Sequence, residues 1–182
     1  TIIIRSHGMA PKIIAEAKKK GIQVIAATCP FVKKAQHCAS KLISEGYRLI
    51  IIGEQAHPEV IGILAHAGDN ALVVEKASDL QFLTEGERVG VVVQTTQQVE
   101  NLKKIVSELL PKVVELKVFN TICDATTKRQ TAIRELARKV NVMMVVGGRN
   151  SANTNRLAQI CQELGTVTHH IETASEIDPA WF

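Results

Sequence analysis

The chain has few aromatic residues, few cysteines and no strong excess of charge of either sign. Phe, Trp and Tyr make up 3% of the 182 residues, so a core must be built from Ile, Val, Leu and Ala within a hydrophobic content of 46%. Stretches in which aromatic and basic residues alternate, as single-stranded nucleic-acid sites require, are missing, and the net charge is only +4. We therefore expect no nucleic-acid partner, whereas the mild basic excess suits an anionic small molecule.

The number of cysteines and the length of the apolar runs limit where the protein acts. Four cysteines without short regular spacing argue against a disulfide scaffold and favour the reducing cytoplasm. No signal-peptide pattern is present and no apolar run reaches transmembrane length, so we expect no membrane association. The sequence opens inside the apolar run TIII and closes at AWF without a helix-capping residue, which predicts a fragment of a longer protein.

Short apolar runs alternate with amphipathic segments along the chain. The predicted strands are 2–4, 23–27, 48–52, 71–74, 88–93, 113–119, 141–146 and 166–171. The predicted helices are 11–20, 31–45, 58–67, 79–83, 99–110, 127–140 and 153–164. Ile/Val runs without alternation indicate strands buried on both faces, and repeated βα units indicate parallel sheets. The sequence thus predicts an α/β fold of small parallel-sheet domains.

Polar residues of chemical interest follow the predicted strands. In chain order they are Ser6-His7-Gly8, Cys29-Pro30, His57-Pro58-Glu59, Gln94-Thr95-Thr96, Cys123 and the segment 150–155. Parallel sheets bring such residues together at their carboxyl edges, where ligands bind. This placement predicts a ligand site at the strand ends.

Two cysteines, Cys29 and Cys123, share nearly the same local setting. Each closes an apolar run, has a Thr close before it and opens a polar, basic helical segment. A thiol facing a helix N-terminus is placed where thiolates are stabilised. An iron–sulfur cluster needs three or four thiolates, so ligation of zinc together with a histidine, or simple burial, are alternatives. Cys38 and Cys161 fall within helices and are interpreted as buried apolar residues.

The segment SANTNR follows two glycines, Gly147 and Gly148, at the end of a predicted strand. Side chains of Ser151, Asn153 and Asn155 can donate hydrogen bonds to phosphate oxygens at a helix N-terminus, where the helix dipole also favours anions. Ordinary capping of the helix by Ser or Asn is the alternative.

His7, His57, Glu59 and Thr95 form a second set of candidates. A histidine after a strand can bind phosphate, although a loop histidine without a role is an alternative. Burial of Glu59 would raise its pKa and suit it to deliver protons, whereas a carboxylate that only complements the helix dipole is the simpler interpretation. Thr95 either orients such an acid or caps the next helix.

Six motifs together resemble a known family. SHG, ATCP, AHPE, QTT, ICDATTKRQ and SANTNRL occur here in the order and spacing of the 4-hydroxy-3-methylbut-2-enyl diphosphate reductases, the IspH or LytB family. The resemblance implies three similar α/β domains arranged as a trefoil around a 4Fe-4S cluster. Residues 1–28 would end the first domain, 29–119 would form the second, and 120–182 would form part of the third.

The resemblance also implies an activity, which is the reductive dehydroxylation of an allylic diphosphate to isopentenyl and dimethylallyl diphosphates, the last step of the non-mevalonate isoprenoid pathway. Electrons would come from ferredoxin or flavodoxin, and a third cluster cysteine would lie upstream of Thr1. The residue roles that it implies are cluster ligation by Cys29 and Cys123, diphosphate binding by His7, His57, Ser151 and Asn153, proton donation by Glu59, and positioning of Glu59 and the substrate hydroxyl by Thr95. A non-redox module that binds phosphorylated metabolites is the alternative function.

Overall fold

The computed structural model describes residues 1–68, 70–82 and 86–181, with the side chains of residues 81 and 82 left aside. The strands are β1 (Ile2–Ile4), β2 (Val24–Ala26), β3 (Arg48–Ile52), β4 (Ala71–Val74), β5 (Glu87–Val93), β6 (Val113–Val118), β7 (Val142–Val146) and β8 (Val167–Ile171). The α-helices are α1 (Pro11–Lys19), α2 (Pro30–Ser44), α3 (Pro58–Ala67), α4 (Val99–Leu109), α5 (Asp124–Ala137) and α6 (Ala152–Glu163). None of the helices within the described ranges combines the length and apolarity that crossing a bilayer requires.

The strands form three separate parallel sheets. A two-stranded sheet pairs β1 with β2, a four-stranded sheet has the order β4-β3-β5-β6, and a second two-stranded sheet pairs β7 with β8. Each parallel pair needs a crossover, and helices supply it, as expected for βα units. The predicted α/β fold with small parallel sheets is confirmed.

Chain contacts divide the molecule into two compact units, Thr1–Ile122 and a second unit that starts at Cys123. The first unit holds the β1–β2 sheet and the four-stranded sheet, and the second holds the β7–β8 sheet. The finer division into domains 1–28, 29–119 and 120–182 stays a prediction.

Most predicted elements agree with the structure to within one or two residues. The largest shifts are at α5, which begins at Asp124 rather than at the predicted residue 127 and ends at Ala137 rather than at residue 140. Cys123 has extended backbone angles and occupies the N-cap, so the helix starts directly after the thiol-bearing residue. The short helix predicted at 79–83 is a 3-10 helix, Ala77–Phe82, and residue 83 lies outside the described ranges.

The four-stranded sheet is buried on both faces. Leu49 and Ile51 of β3 pack with α2 and α3 on one face, while Ile50 and Ile52 pack with α4 on the other. This alternation follows from the two-residue period of a strand. Because apolar residues occupy both sets of positions, the sequence shows a continuous Ile/Leu run instead of an alternating one.

Helix α2 lies very close to β5 at one point. A methyl carbon added to Gly90 would lie 2.7, 2.8 and 2.9 Å from three atoms of the Leu42 side chain, which is fully buried. Only a residue without a side chain permits this approach, since Leu42 has no solvent into which it can move.

Replacing Gly90 by Ala should therefore destabilise the protein by about 1–3 kcal/mol, as overpacking of a close-packed core does. Urea unfolding measures the change. The double variant Gly90→Ala with Leu42→Ala should lose less unfolding free energy than the two single variants lose together, because the smaller side chain at position 42 removes the collision. A Gly90→Ala protein that is as stable as the wild type would contradict this packing.

Candidate functional site

A backbone hydrogen bond joins the loops that follow β1 and β2. The Cys29 amide donates to the Ser6 carbonyl oxygen at 3.0 Å, and the Gly8 amide donates to that of Arg5 at 3.0 Å. Gly8 has a φ of +80°, and a methyl carbon there would lie 2.4 Å from Gln36 Nε2. Glycine is needed for the backbone conformation and for the contact, so the SHG loop lies directly against α2.

His7 and His57 lie side by side in the first unit. Their rings meet edge to face with centroids 5.3 Å apart. His57 caps α3, because its Nδ1 accepts a hydrogen bond from the Glu59 amide at 3.2 Å. An Nδ1 that accepts a hydrogen bond carries no proton, so the neutral His57 ring has its proton on Nε2.

Both histidines favour the uncharged state. Burial lowers the pKa of His57, and the neighbouring His7 lowers it further, while Glu54 opposes the shift. Burial also lowers the pKa of His7, with a smaller contribution from Arg5. Two neutral rings at this position offer hydrogen bonds, and a bound anion would favour protonation of His7, whereas the cap requires His57 to stay neutral.

Glu59 is the most deeply buried carboxyl group of the site, with 1% of its surface exposed. Its Oε1 accepts from the Thr95 amide and its Oε2 accepts from the Thr95 hydroxyl, each at 2.7 Å. Burial raises the pKa of Glu59, and the two hydrogen bonds from Thr95 oppose that rise. A carboxyl group whose net shift is upward can hold a proton closer to neutral pH than an exposed one can.

Two further polar residues hold the loop that carries Thr95. Gln94 is fully buried, accepts from the Glu54 amide at 2.9 Å and donates to the Thr96 hydroxyl at 3.0 Å. The Thr121 hydroxyl accepts from the Val93 amide at 2.8 Å and also donates to the Val93 carbonyl oxygen. Sequence reasoning gave neither residue this role. Gln94 lies within the QTT motif, but nothing in the sequence marks Thr121 as a partner of β5.

Cys29 and Cys123 occupy equivalent places in the two units. Each is the N-cap of a helix, α2 or α5, and each is a partly exposed free thiol. A partly exposed thiol at the start of a helix is accessible to a metal, so each side chain is suited to ligate iron. Among the described residues, no group of three or more His, Cys, Asp and Glu side chains forms a complete metal site. Each thiol, taken by itself, is suited to be one ligand of such a group.

The other two cysteines are buried, as predicted. Burial raises the pKa of both Cys38 and Cys161, which keeps these thiols protonated and unreactive.

Ser151 caps helix α6 in the second unit. Its Oγ accepts from the Thr154 amide at 3.3 Å and from the Thr154 hydroxyl at 3.0 Å. Since both bonds use lone pairs of the serine oxygen, its own hydrogen is available to donate to an anion. The predicted anion site and the alternative interpretation as a helix cap are therefore compatible.

The two asparagines of this segment differ in their surroundings. Asn155 donates through Nδ2 to the Arg149 carbonyl oxygen at 2.9 Å, so its amide already serves the fold. Asn153 has a buried Oδ1 with no hydrogen-bond partner among the described residues. Phosphate oxygens also only accept hydrogen bonds, so Asn153 would have to bind an anion through its Nδ2 group and not through this oxygen.

A family model described as LytB protein matches residues 1–182. The chain belongs to the LytB family. The predicted resemblance to this family is thereby confirmed.

Two similar proteins share the name of one enzyme. A 4-hydroxy-3-methylbut-2-enyl diphosphate reductase of Pelobacter propionicus is 56% identical over 182 residues, which are all of this chain and 65% of that protein. The reductase of Geobacter metallireducens is 50% identical, again over the whole chain and 64% of its own length. The chain thus spans slightly less than two thirds of these relatives.

Two solved structures of such reductases also match this chain. The structure of a reductase described as the terminal enzyme of the non-mevalonate pathway is 47% identical with a TM-score of 0.68, and the match covers 99% of this chain and 65% of that one. The Plasmodium falciparum reductase is 31% identical with a TM-score of 0.91, covering 98% and 57%. These matches confirm the predicted fold class.

The cap at His57 leads to a prediction about pH. Replacing His57 by Ala should lower the free energy of unfolding by about 1 kcal/mol at pH 8, because the Glu59 amide loses its acceptor. Asn is a good capping residue, so His57→Asn should retain most of that stability.

The sign of the pH effect follows from the lowered pKa of His57. The stabilising contribution of His57 is complete above pH 6.5, the ordinary pKa of a histidine, and is lost as the pH falls through the lowered folded-state pKa. The difference between wild type and His57→Ala should narrow below pH 6.5 in urea unfolding. A constant difference down to pH 5 (about the lower end of the histidine range), or an Asn variant as unstable as Ala, would contradict the cap.

Proposed function

We propose that the full-length protein containing this chain is a 4-hydroxy-3-methylbut-2-enyl diphosphate reductase. It would add two electrons and two protons to the substrate, break the bond between carbon and the hydroxyl oxygen, and release water with isopentenyl or dimethylallyl diphosphate. Membership of the LytB family supports the class of reaction. The observation that carries the proposal is the buried Glu59 carboxyl group held by Thr95, because the reaction needs a proton source.

Glu59 is the proposed proton donor. Its raised pKa lets the carboxyl group hold a proton, and its two hydrogen bonds from Thr95 fix the group in one orientation. The Thr95 hydroxyl is also able to accept a hydrogen bond, so it would stay paired when Glu59 is protonated. Thr95 would thereby position both the acid and the substrate hydroxyl.

The diphosphate would be bound by His7, His57, Ser151 and Asn153. The two histidines offer ring N–H groups, and the Ser151 hydroxyl at the cap of α6 keeps its own hydrogen to donate. A diphosphate beside His7 would raise the pKa of this histidine from its lowered value. Binding would then take up a proton, and affinity would increase as the pH falls toward that value.

Cys29 and Cys123 would each supply a thiolate to a 4Fe-4S cluster. When bound, the cluster would supply the electrons of the reduction. A cluster of this class needs at least three thiolates and residues 1–182 offer two that fit, so we propose that these residues alone are inactive. Ferredoxin or flavodoxin is the proposed electron donor, and four free thiols suit a cytoplasmic location.

The cluster is tested by anaerobic reconstitution of the full-length protein. The wild type should bind iron and absorb broadly near about 400 nm, as thiolate-bound iron does. Replacing Cys29 or Cys123 by Ala should abolish cluster retention.

Cys38→Ala and Cys161→Ala serve as matched controls, because those thiols are buried and should not touch iron. Reduction of the substrate by iron-free protein would contradict the proposal. Diphosphate binding without any reduction would favour the non-redox module instead.

Replacing Glu59 by Gln in the full-length enzyme should lower kcat by about 10²–10⁴-fold and change KM by less than about threefold, because the amide keeps the shape but delivers no proton. Steady-state kinetics with the allylic diphosphate measures both constants. The exposed Glu16 on α1 is a control, and Glu16→Gln should leave both unchanged. Loss of binding with an unchanged kcat would refute the acid role.

A further inference from the structure

Thr154 makes one hydrogen bond that the capping of α6 does not require. Ser151 is the N-cap of this helix, and the Thr154 amide donates to its Oγ at 3.3 Å, which by itself completes the cap. The Thr154 hydroxyl donates to the same oxygen at 3.0 Å. A threonine in a helix often turns its hydroxyl to a backbone carbonyl oxygen of the preceding turn, so a serine side chain as its partner calls for an explanation.

The Thr154 side chain is held from its other side by Gly147, directly after β7. Thr154 is 8% exposed, and a methyl carbon added to Gly147 would lie 2.6 Å from its Oγ1 and 2.9 Å from its Cγ2. Strand β8 fixes Gly147 in turn, because the Gly147 amide donates to the Ile171 carbonyl oxygen at 2.9 Å and the Gly147 carbonyl oxygen accepts from His170 Nε2 at 2.8 Å. Thr154 is therefore packed between Gly147 and Ser151.

Two donors on one serine oxygen determine where its hydrogen can point. A hydroxyl group has two lone pairs and one hydrogen, and the hydrogen of an unconstrained serine rotates to suit its partners. Both lone pairs of Ser151 Oγ accept from Thr154, so the hydrogen is left with the one remaining tetrahedral direction. In that direction Ser151 can donate but cannot accept, which suits an unprotonated phosphate oxygen.

We propose that Thr154 is a positioning residue that fixes the Ser151 hydroxyl as a hydrogen-bond donor to a phosphate oxygen. The inference rests on the proposed function in taking the diphosphate as the ligand of Ser151. The two hydrogen bonds that Ser151 accepts also polarise its O–H group and strengthen the bond that it donates. Glutamate is common at this third position of a helix, but its carboxylate would repel an anion bound at the cap, whereas threonine adds a donor without charge.

The first test measures the Kd of inorganic pyrophosphate for the full-length protein by calorimetry. Thr154→Val keeps the shape of the side chain and the amide of the cap but removes the hydroxyl, so Kd should rise by about fivefold, the effect of one net hydrogen bond. Thr154→Ser restores the hydroxyl and should bind within about twofold of the wild type. An unchanged Kd in Thr154→Val, or a serine variant as weak as valine, would overturn the inference.

Thr168→Val on β8 is the matched control, because it makes the same substitution in the same unit. The Thr168 hydroxyl donates to the Thr166 carbonyl oxygen at 2.7 Å and not to Ser151. This variant should leave the Kd of pyrophosphate unchanged. An equal loss of affinity in Thr168→Val would show a general effect of removing a hydroxyl and would overturn the positioning role.

A double-mutant cycle separates positioning from a structural role. If Thr154 acts through Ser151, Thr154→Val should change Kd by less than about twofold in a Ser151→Ala background, because the hydroxyl that it orients is gone. A purely structural role predicts the same loss in both backgrounds, and that outcome would overturn the inference. Glycine is a better N-cap than alanine, so Ser151→Gly replaces Ser151→Ala if the alanine variant does not fold.

Steady-state kinetics separates binding from turnover in the full-length enzyme. Thr154→Val should raise KM for the allylic diphosphate by about fivefold and change kcat by less than about twofold, because Glu59 is untouched. An unchanged KM would overturn the positioning role. If the wild type reduces no substrate, the proposed function fails, and the Kd of pyrophosphate still decides the role of Thr154. A wild type that binds no pyrophosphate would overturn the inference.

Discussion

The paired hydrogen bonds between Glu59 and Thr95 join the two strand ends on which the candidate site depends. Glu59 stands at the start of α3, which follows β3, and Thr95 stands just after β5, the next strand in the sheet. The carboxyl group accepts from a backbone amide and a hydroxyl of one residue, so its position fixes that loop in space. The loop in turn provides the polar partners of the Glu59 carboxyl group. Without them, burying this group would cost too much free energy.

Glycines allow the surrounding segments to approach one another. At Gly53, directly after β3, an added methyl carbon would lie 2.7 Å from a Val60 methyl carbon and 2.8 Å from Gln94 Oε1. At Gly8 and Gly62 an added methyl carbon would likewise lie too close to neighbouring atoms. Each of these glycines lies where a loop or helix of the site is in contact with another element. Side chains at these positions would push apart the segments that carry His7, Glu59 and Thr95.

The fold and the motifs could be predicted from the sequence because they depend on local patterns. Apolar runs of four to six residues, such as β3, determine strands, and the polar residues after them mark the carboxyl edge. The partners of those residues could not be predicted. Thr121 lies 28 positions from Val93, and Gln36 is a single polar residue on an apolar helix face, so only tertiary packing reveals what each contacts. The start of α5 was missed because a cysteine is an unusual N-cap.

Burial shifts the pKa values of His7, His57 and Glu59 in opposite directions but with a common result. It lowers the pKa of His7 and His57 and raises that of Glu59, so each group is driven toward its uncharged form. Uncharged rings and an uncharged carboxyl group can offer hydrogen bonds to a ligand. The arrival of an anion would favour protonation of His7, whereas His57 must stay neutral to keep capping the helix that carries Glu59. In the proposed site, one histidine would thus respond to charge while the other maintains the geometry of the acid, although the two rings lie only 5.3 Å apart.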